Sequence, residues 1–166
     1  KYTISPAFSA NMLLAHDDGT KNALSGGVRG MYIKEASIAW KNLIPRADLY
    51  FGQIQTPTWL LAEKIWGLRS LEKTITDFRK LGSSNDMGIA LRGSIDSSGH
   101  FTYSLMAGNG TGALPEKDKL KKFYGAFGAK VFSERIIFEV YADYEDISPV
   151  KNKTTWKTRT KKSSNN

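Results

Sequence analysis

The stretch DMGIALRGSIDSSGHFTYSLMAG, residues 86–108, decides the fold because it reads as two strands separated by a short turn. On both sides of the turn, apolar side chains alternate with small or polar ones, as on strands whose side chains point to opposite faces in turn. If Leu91 pairs with Leu105, then Arg92 lies opposite Ser104. One face of the hairpin is then apolar along both strands, and the other is small or polar. The stretch therefore predicts an antiparallel pair with one apolar and one polar face.

The same alternation extends over most of the chain and predicts seven strands. Pairing across two further turns, Trp40 with Ala47 and Val131 with Ile136, again sets apolar side chains against apolar ones. A weak eighth strand is predicted at 153–159. The seven predicted strands cover residues 3–15, 31–42, 47–55, 86–95, 100–108, 123–132 and 135–145.

The connections between these strands alternate between long polar loops and short turns. The long ones cover 16–30, 56–85 and 109–122, and the short ones cover 43–46, 96–99 and 133–134. Transmembrane β-barrels have tight turns at one end, longer loops at the other and strands of about ten residues. We therefore expect an all-β fold, an antiparallel transmembrane β-barrel with short periplasmic turns and long extracellular loops.

A soluble β-sandwich is the alternative, because its strands also alternate hydrophobic and polar residues. Its connections should be of more mixed length, and its buried faces should have fewer small polar residues opposite them. Aromatic side chains near the predicted strand ends favour the barrel, because interfacial girdles form there. These aromatic residues are Tyr32, Trp40, Tyr103, Phe123, Phe132, Tyr141 and Tyr144.

The composition excludes several classes of protein. The chain has 166 residues, of which 40% are hydrophobic and 11% aromatic, which is not the composition of a disordered protein. It has no cysteine, so neither a disulfide framework nor a thiolate metal site can form. No apolar run approaches the roughly 20 residues of a membrane-spanning helix. No signal peptide precedes Lys1, which leaves the compartment open because a mature chain looks the same.

The formal net charge of +8 is concentrated in the loops and the tail. Residues 151–166 alone carry six Lys and Arg side chains and no acidic one. A nucleic-acid interface would concentrate its positive charge on a folded face. We therefore expect no nucleic-acid partner.

The connection 56–85 is the longest and predicts a helix. Apolar residues recur at helical spacing at Leu61, Ile65, Leu68, Ile75 and Phe78. A second face carries Arg69, Lys73, Thr76 and Lys80. Either this is a solvated surface helix, or the loop folds into the barrel mouth and presents cations to a passing anion.

Four further segments occur in a fixed order: GQIQTP at 52–57, WGLRSLEK at 66–73, SSNDMGIALRG at 83–93 and YSLMAGNGTG at 103–112. Together they resemble the bacterial outer-membrane porins related to the phosphate-selective porins, porin O and porin P. The resemblance covers about residues 31–145 and depends on the order and spacing of these segments.

The resemblance implies a channel of the bacterial outer membrane rather than an enzyme, with no cofactor, in contact with membrane lipid and lipopolysaccharide. The family usually forms trimers of sixteen-stranded barrels with inward-folded loops. Seven or eight strands are about half of such a barrel, so we expect a fragment of a longer protein. Residues 1–166 would then be part of a single barrel domain, with 56–85 as the constriction loop and 151–166 as a basic tail or the start of the next strand.

We expect small anions to contact Arg69, in the segment that matches the family, and Arg92, on the polar face of its strand. Further pore-lining or anion-contacting candidates are Lys73, Arg79, Lys80, Lys130 and Arg135. Each of these cations also has a structural interpretation, in which it balances Glu35, Glu139 or Asp143 or keeps the rim hydrated.

The predicted function is passive diffusion of small hydrophilic solutes through a water-filled channel, with a preference for anions such as phosphate. One alternative is a soluble or surface-attached β-sheet module that binds acidic polysaccharide or another protein. The other is a non-conducting structural protein of the outer membrane.

Other chemistries have weaker support in the sequence. His16 and His100 are far apart and lack the spacing of a zinc site. The glycine-rich residues 108–112 lack the Lys-Ser/Thr pair of a nucleotide-binding loop. The acidic row of Glu139, Asp143 and Glu145 has no accompanying nucleophile or base.

Overall fold

A computed structural model of the chain describes residues 1–17, 30–67, 71, 78, 82–112, 120–133 and 135–145. These residues form eight strands and one helix. In chain order the elements are β1 (Tyr2–Thr3), β2 (Phe8–Asp17), β3 (Gly30–Ile44), β4 (Ala47–Gln55), α1 (Pro57–Trp66), β5 (Asn85–Ser94), β6 (Phe101–Gly108), β7 (Lys122–Val131) and β8 (Ile136–Glu145).

The eight strands form one antiparallel sheet in which each strand pairs with its neighbours in the sequence, in the order β1 to β8. The prediction of an all-β antiparallel fold is thereby confirmed. Among the described residues, β1 and β8 are the two edges of the sheet, which is open. The long connections 18–29, 56–84 and 109–121 all leave from one end of the sheet, and the short turns lie at the other. No helix among the described residues is long and apolar enough to cross a membrane.

The predicted strand 3–15 is wrong in one respect, because it forms two strands that pair with each other. Tyr2 of β1 lies opposite Ala10 of β2. The reversal occurs at Ser5, whose carbonyl oxygen and hydroxyl both accept from the Phe8 amide at 3.2 Å. Pro6 follows Ser5, and proline has no N–H for a sheet ladder. The chain therefore turns here instead of continuing as one strand.

The predicted registers of two hairpins are confirmed. Leu91 lies opposite Leu105 and Arg92 opposite Ser104 in the β5–β6 pair. In the β7–β8 pair, Val131 lies opposite Ile136. The pattern of alternation was sufficient here because neither strand pair contains a register shift.

The predicted register of the β3–β4 hairpin is wrong by two residues. Trp40 lies opposite Leu49 instead of Ala47, and Ile44 is the residue opposite Ala47. The turn is shorter than predicted, consisting of Pro45 and Arg46, and β3 contains an irregularity between Trp40 and Ile44. Within it Asn42 has a φ of 53°, and its amide donates to Asp48 at 2.9 Å. A shift of two residues keeps every side chain on its predicted face.

The two faces of the sheet differ in an unusual way. Large apolar side chains on one face are exposed, including Phe51 at 65%, Phe138 at 58% and Val140 at 68%. The buried apolar cluster lies on the opposite, polar face and comprises Ile54, Ala90, Met106 and Tyr124. A soluble sheet covers its apolar face with another layer. Here α1 and the loop ends cover part of the polar face instead.

The helix α1 lies over the polar face, where it contacts β6, β7 and β8. It begins with Pro57, whose missing N–H is no loss in the first helical turn, and ends at Trp66. Gly67 follows with a left-handed φ of 61°, as is usual after a helix. Leu68 and Ile75 of the predicted helical stripe lie outside the described residues, as do the predicted strand 153–159 and the basic tail.

Candidate functional site

The site is a cavity of about 400 Å³ between α1 and the polar face of the sheet. Pro57 and Leu60 of α1 form one side of it. The strands contribute Arg92 from β5, Ser104 from β6, Lys130 from β7 and Glu139 from β8. These strand residues lie on one face of the sheet. Side chains alternate between the two faces along each strand, and residues directly opposite each other on paired strands point to the same face.

The position of α1 is fixed at its N-terminus by Thr56, which is completely buried. The Thr56 hydroxyl donates to the carbonyl oxygen of Ser83 at 2.7 Å, and its amide donates to the carbonyl oxygen of Ser84 at 3.0 Å. Both ends of the connection 56–84 are thereby joined beside the sheet. Trp59, in the first turn of the helix, is also buried. These contacts hold the start of α1 against the sheet.

Arg92 is the central cation of the site. Its guanidinium carbon lies 4.6 Å from the centre of the Tyr50 ring, which is a cation–π contact, and one guanidinium nitrogen donates to the carbonyl oxygen of Gln55. Its Nε is buried and has no hydrogen-bond partner among the described residues. A buried donor of this kind is unfavourable unless a water or a solute pairs with it.

Arg92 also borders a second cavity of about 220 Å³. Tyr50 lies on its wall together with Glu35, whose carboxylate oxygens accept from Asn11 at 2.8 Å and from Asn85 at 3.2 Å. The polar lining of this second cavity also includes Ser9 and Ser37. The two cavities share Arg92, which therefore links them.

The floor of the larger cavity is made of small residues. Ser104 is buried, and its hydroxyl has no hydrogen-bond partner among the described residues. Thr102, Ala126 and Gly128 also line this cavity. Small side chains in β6 and β7 leave space above the sheet between Arg92 and the side chains of β8. A buried hydroxyl without a partner is unfavourable unless a water or a solute pairs with it.

The acidic side chains of β8 have different partners. Asp143 pairs with Lys122 at 2.7 Å, and Glu145 lies 3.5 Å from the same ammonium. Glu139 lines the larger cavity with Arg92 and Lys130. Asp143, one of the acids expected from the sequence to balance a lumen cation, therefore pairs with Lys122.

A second polar cluster lies where the long loops meet the sheet. Asp86 is completely buried, and its carboxylate accepts from Gly110, Gly112 and Tyr124. We did not anticipate a role for Asp86 from the sequence. The available signal was the glycine-rich loop at 108–112, whose amides can approach a carboxylate closely because glycine has no side chain.

The structure brings together only some of the predicted site residues. Arg92 and Lys130 line the same cavity. Arg135 is exposed in the short turn after β7 and is not among the residues lining that cavity. Four predicted cations lie outside the described residues: Arg69, Lys73, Arg79 and Lys80. Their part in the site stays a prediction.

Metal binding has no support in the part of the chain that the structure describes. There, no three His, Asp or Glu side chains are grouped so as to hold an ion. His100 instead lies 3.4 Å from Asp96 within the β5–β6 turn.

No family model, no curated protein and no solved structure matches this chain.

Proposed function

We propose that this sheet is part of an outer-membrane β-barrel that forms a water-filled channel for passive diffusion of small hydrophilic solutes, with a preference for anions. The observation that carries the proposal is the arrangement of the two faces. Exposed apolar side chains cover one face, and the cavities, the helix and the charged side chains lie on the other. A barrel in a membrane needs this arrangement, with an apolar exterior and a polar interior.

The exposed apolar face extends across seven strands of the sheet. It includes Met12, Ile38, Phe51, Ile89, Leu105, Phe127 and Val140, which come from seven neighbouring strands. Soluble monomers rarely expose contiguous apolar patches above a few hundred Å². We assign this face to contact with lipid, and with lipopolysaccharide near the long loops.

The strand lengths fit the same proposal. Strands β4 to β8 contain 8 to 10 residues, and a tilted membrane-spanning strand needs about 9–11. In lipid every backbone polar group must be paired. The edges at β1 and β8 would therefore pair with further strands in a closed barrel, for which we propose sixteen strands and a trimeric assembly, following the family resemblance. The long loops would then be extracellular and the short turns periplasmic.

The anion preference rests on Arg92 and Lys130, which line the cavity beneath α1. Arginine and lysine rings are the usual means by which an aqueous pore favours anions. Because α1 lies over the polar face, the connection 56–84 would narrow the channel there and bring solutes close to Arg92.

Planar-bilayer recording of the purified protein tests the channel itself, and discrete conductance steps are expected. The anion preference is tested by the reversal potential in a salt gradient. We expect Arg92→Glu to move the reversal potential toward cation preference. Arg135→Glu is the matched control, because it makes the same charge change at an exposed turn residue away from the cavity. Equal reversal potentials for the two variants contradict the assignment of Arg92, and the absence of conductance steps contradicts the channel.

The binding-module alternative predicts different behaviour on extraction. A soluble or surface-attached module would leave the apolar face in water, where it would favour aggregation. The barrel should require detergent for extraction and should migrate differently on gels when it is not heated. A structural outer-membrane protein would share this behaviour and lack conductance.

A further inference from the structure

Asp86 holds a segment of the β6–β7 connection against the end of β5. One carboxylate oxygen accepts from the Gly110 amide at 2.7 Å and from the Tyr124 hydroxyl at 2.8 Å. The other accepts from the Gly112 amide at 3.2 Å. Asp86 is completely buried, and a buried carboxylate is tolerated only when donors surround it. We call Asp86, Gly110, Gly112 and Tyr124 the rim clasp.

The backbone around Asp86 is shaped to bring these amides together. Gly110 and Gly112 have φ values of 81° and 68°, which side-chain-bearing residues rarely adopt. A Cβ atom on Gly112 would lie 2.4 Å from the Ser83 hydroxyl, and one on Gly108 would lie 2.3 Å from the Asp86 carboxylate. The segment therefore fits closely against both the sheet and the end of the connection 56–84.

Two further bonds hold the same segment on either side of the clasp. The Asn109 amide donates to the carbonyl oxygen of Met87 at 3.0 Å, which continues the β5–β6 ladder. The Gln53 side chain donates to the carbonyl oxygen of Gly112 at 3.3 Å. Gln53 of β4 and Asp86 and Met87 of β5 thus bind the first four residues of this long connection. Tyr124 of β7 contributes indirectly, because its hydroxyl donates to the Asp86 carboxylate.

We propose that Asp86 is a positioning residue that fixes residues 109–112 over the polar face of the sheet. The start of the β6–β7 connection is then a permanent wall of the entrance to that face and not a movable lid. Charge-assisted bonds from two backbone amides are the stronger kind of hydrogen bond, and they substitute here for a regular ladder. This inference goes beyond the proposed channel, because it depends on the fold and holds whether or not the protein conducts.

Amide hydrogen exchange of the full chain in detergent micelles, followed by NMR, tests the proposal. We expect Asp86→Asn to accelerate exchange at Gly110 and Gly112 by about tenfold or more. The loss of a charge-assisted hydrogen bond raises the equilibrium constant for local opening at these amides by at least that factor. The Gly110 amide resonance should also move upfield, a change that a general loss of stability would not produce in a protein that stays folded.

Asp96→Asn is the matched control, because Asp96, like Asp86, accepts from backbone amides but lies at the opposite end of the sheet. Those amides belong to His100 and Phe101, at 3.0 and 2.8 Å. This variant should accelerate exchange at these two residues and leave Gly110 and Gly112 unchanged. The proposal is overturned if exchange at the two glycines rises no more with Asp86→Asn than with Asp96→Asn.

Gly112→Ala provides a second test if Asp86→Asn does not fold. It disturbs the segment through its left-handed backbone and its contact with Ser83, and it leaves the carboxylate in place. Exchange at Gly110 should again accelerate, whereas Gly125→Ala, with no atom closer than 3.9 Å to the new Cβ, should leave it unchanged. Unchanged exchange at Gly110 in Gly112→Ala would also overturn the proposal. None of these measurements depends on conductance, so failure of the channel proposal is a separate result.

Discussion

Gly88 and Gly108 lie opposite each other in the β5–β6 pair, so close that neither position has room for a side chain. A Cβ atom on Gly88 would lie 2.2 Å from the carbonyl oxygen of Ala107 and 2.8 Å from the Cα of Gly108. Both contacts are with backbone, which cannot move aside as a flexible side chain can. Glycine in a strand interior often marks such a close approach of another backbone.

Gly88→Ala should therefore destabilise the sheet by about 1–3 kcal/mol, the usual cost of overpacking. Gly125→Ala is the matched control, because the nearest atoms to its new Cβ are 3.9 Å away, and its effect should stay within about 0.5 kcal/mol. Urea unfolding in detergent micelles, followed by tryptophan fluorescence, measures both. Equal effects of the two substitutions would contradict the close approach of β5 and β6.

Val140 provides a test of the lipid-facing surface. It lies in the middle of β8 and is 68% exposed. If this face contacts lipid, Val140→Lys should destabilise the protein in lipid vesicles by about 2–4 kcal/mol, the cost of a lysine at the bilayer midplane. If the face contacts water, an exposed substitution should change the free energy of unfolding by no more than about 0.5 kcal/mol.

Ser98→Lys is the control for Val140→Lys, because it adds the same charge at an exposed position of the short β5–β6 turn. Folding of both variants into vesicles can be measured by the shift in gel mobility of unheated samples and by urea titration. Comparable stability of the two variants would exclude lipid contact at Val140.

The alternation of side chains predicted the fold well where the strands are regular. It located Leu91 opposite Leu105 because register and face are coupled in an unbroken hairpin. It gave the wrong partner for Trp40. A shift of two residues keeps every side chain on the same face, so the pattern of apolar and polar residues cannot detect it. The shift depends on the left-handed backbone of Asn42 and its bond to Asp48, which the pattern of apolar residues does not encode.

The candidate site was predictable only in its strand residues. Arg92 and Lys130 could be assigned to the polar face from their position in the alternation, and both line the same cavity. Asp86 was missed because its partners Gly110 and Gly112 act through backbone amides, which no side-chain pattern reveals. The position of α1 depends on bonds from Thr56 to Ser83 and Ser84, which lie at the opposite end of a long connection.

Asp96 should make the stability of the β5–β6 turn depend on pH. Hydrogen bonds from the amides of Phe101 and then His100 lower the pKa of the Asp96 carboxyl below its usual value. A carboxyl whose pKa is depressed in the folded state stabilises the fold above its unfolded pKa of about 3.9, and the contribution is lost as the pH falls through the folded value. The protein should therefore lose stability at this site below about pH 4.

Asp96→Asn removes this titration and serves as the comparison for the pH measurement. The difference in free energy of unfolding between the original protein and the variant should be constant above about pH 5 and should shrink as the pH falls below about 4. A difference that grows on acidification would show that the carboxyl is not stabilised in its ionised form. Urea titrations at a series of pH values measure this difference. Ser98→Ala is the control, because it substitutes a residue of the same turn without removing a titrating group.

Arg92 should require a guanidinium and not merely a positive charge. Its side chain stacks on the Tyr50 ring at 4.6 Å and also donates to the Gln55 carbonyl oxygen, and a lysine ammonium cannot reproduce this planar arrangement. Arg92→Lys should lower the free energy of unfolding by about 1.5–3 kcal/mol, the range of one hydrogen bond to a charged group. The same change at exposed Arg46, in the β3–β4 turn, should cost less than about 0.5 kcal/mol.

The same variant separates the structural role of Arg92 from its role toward solutes. Because Arg92→Lys retains the charge, the sign of the reversal potential in a salt gradient should not change, even though the protein is less stable. Arg92→Gln, which removes the charge, should shift the reversal potential in the same direction as Arg92→Glu, and by less. If Arg92→Lys shifts the reversal potential as far as Arg92→Gln does, the positive charge at this position is not what favours anions, and the geometry of the guanidinium itself would have to be the cause.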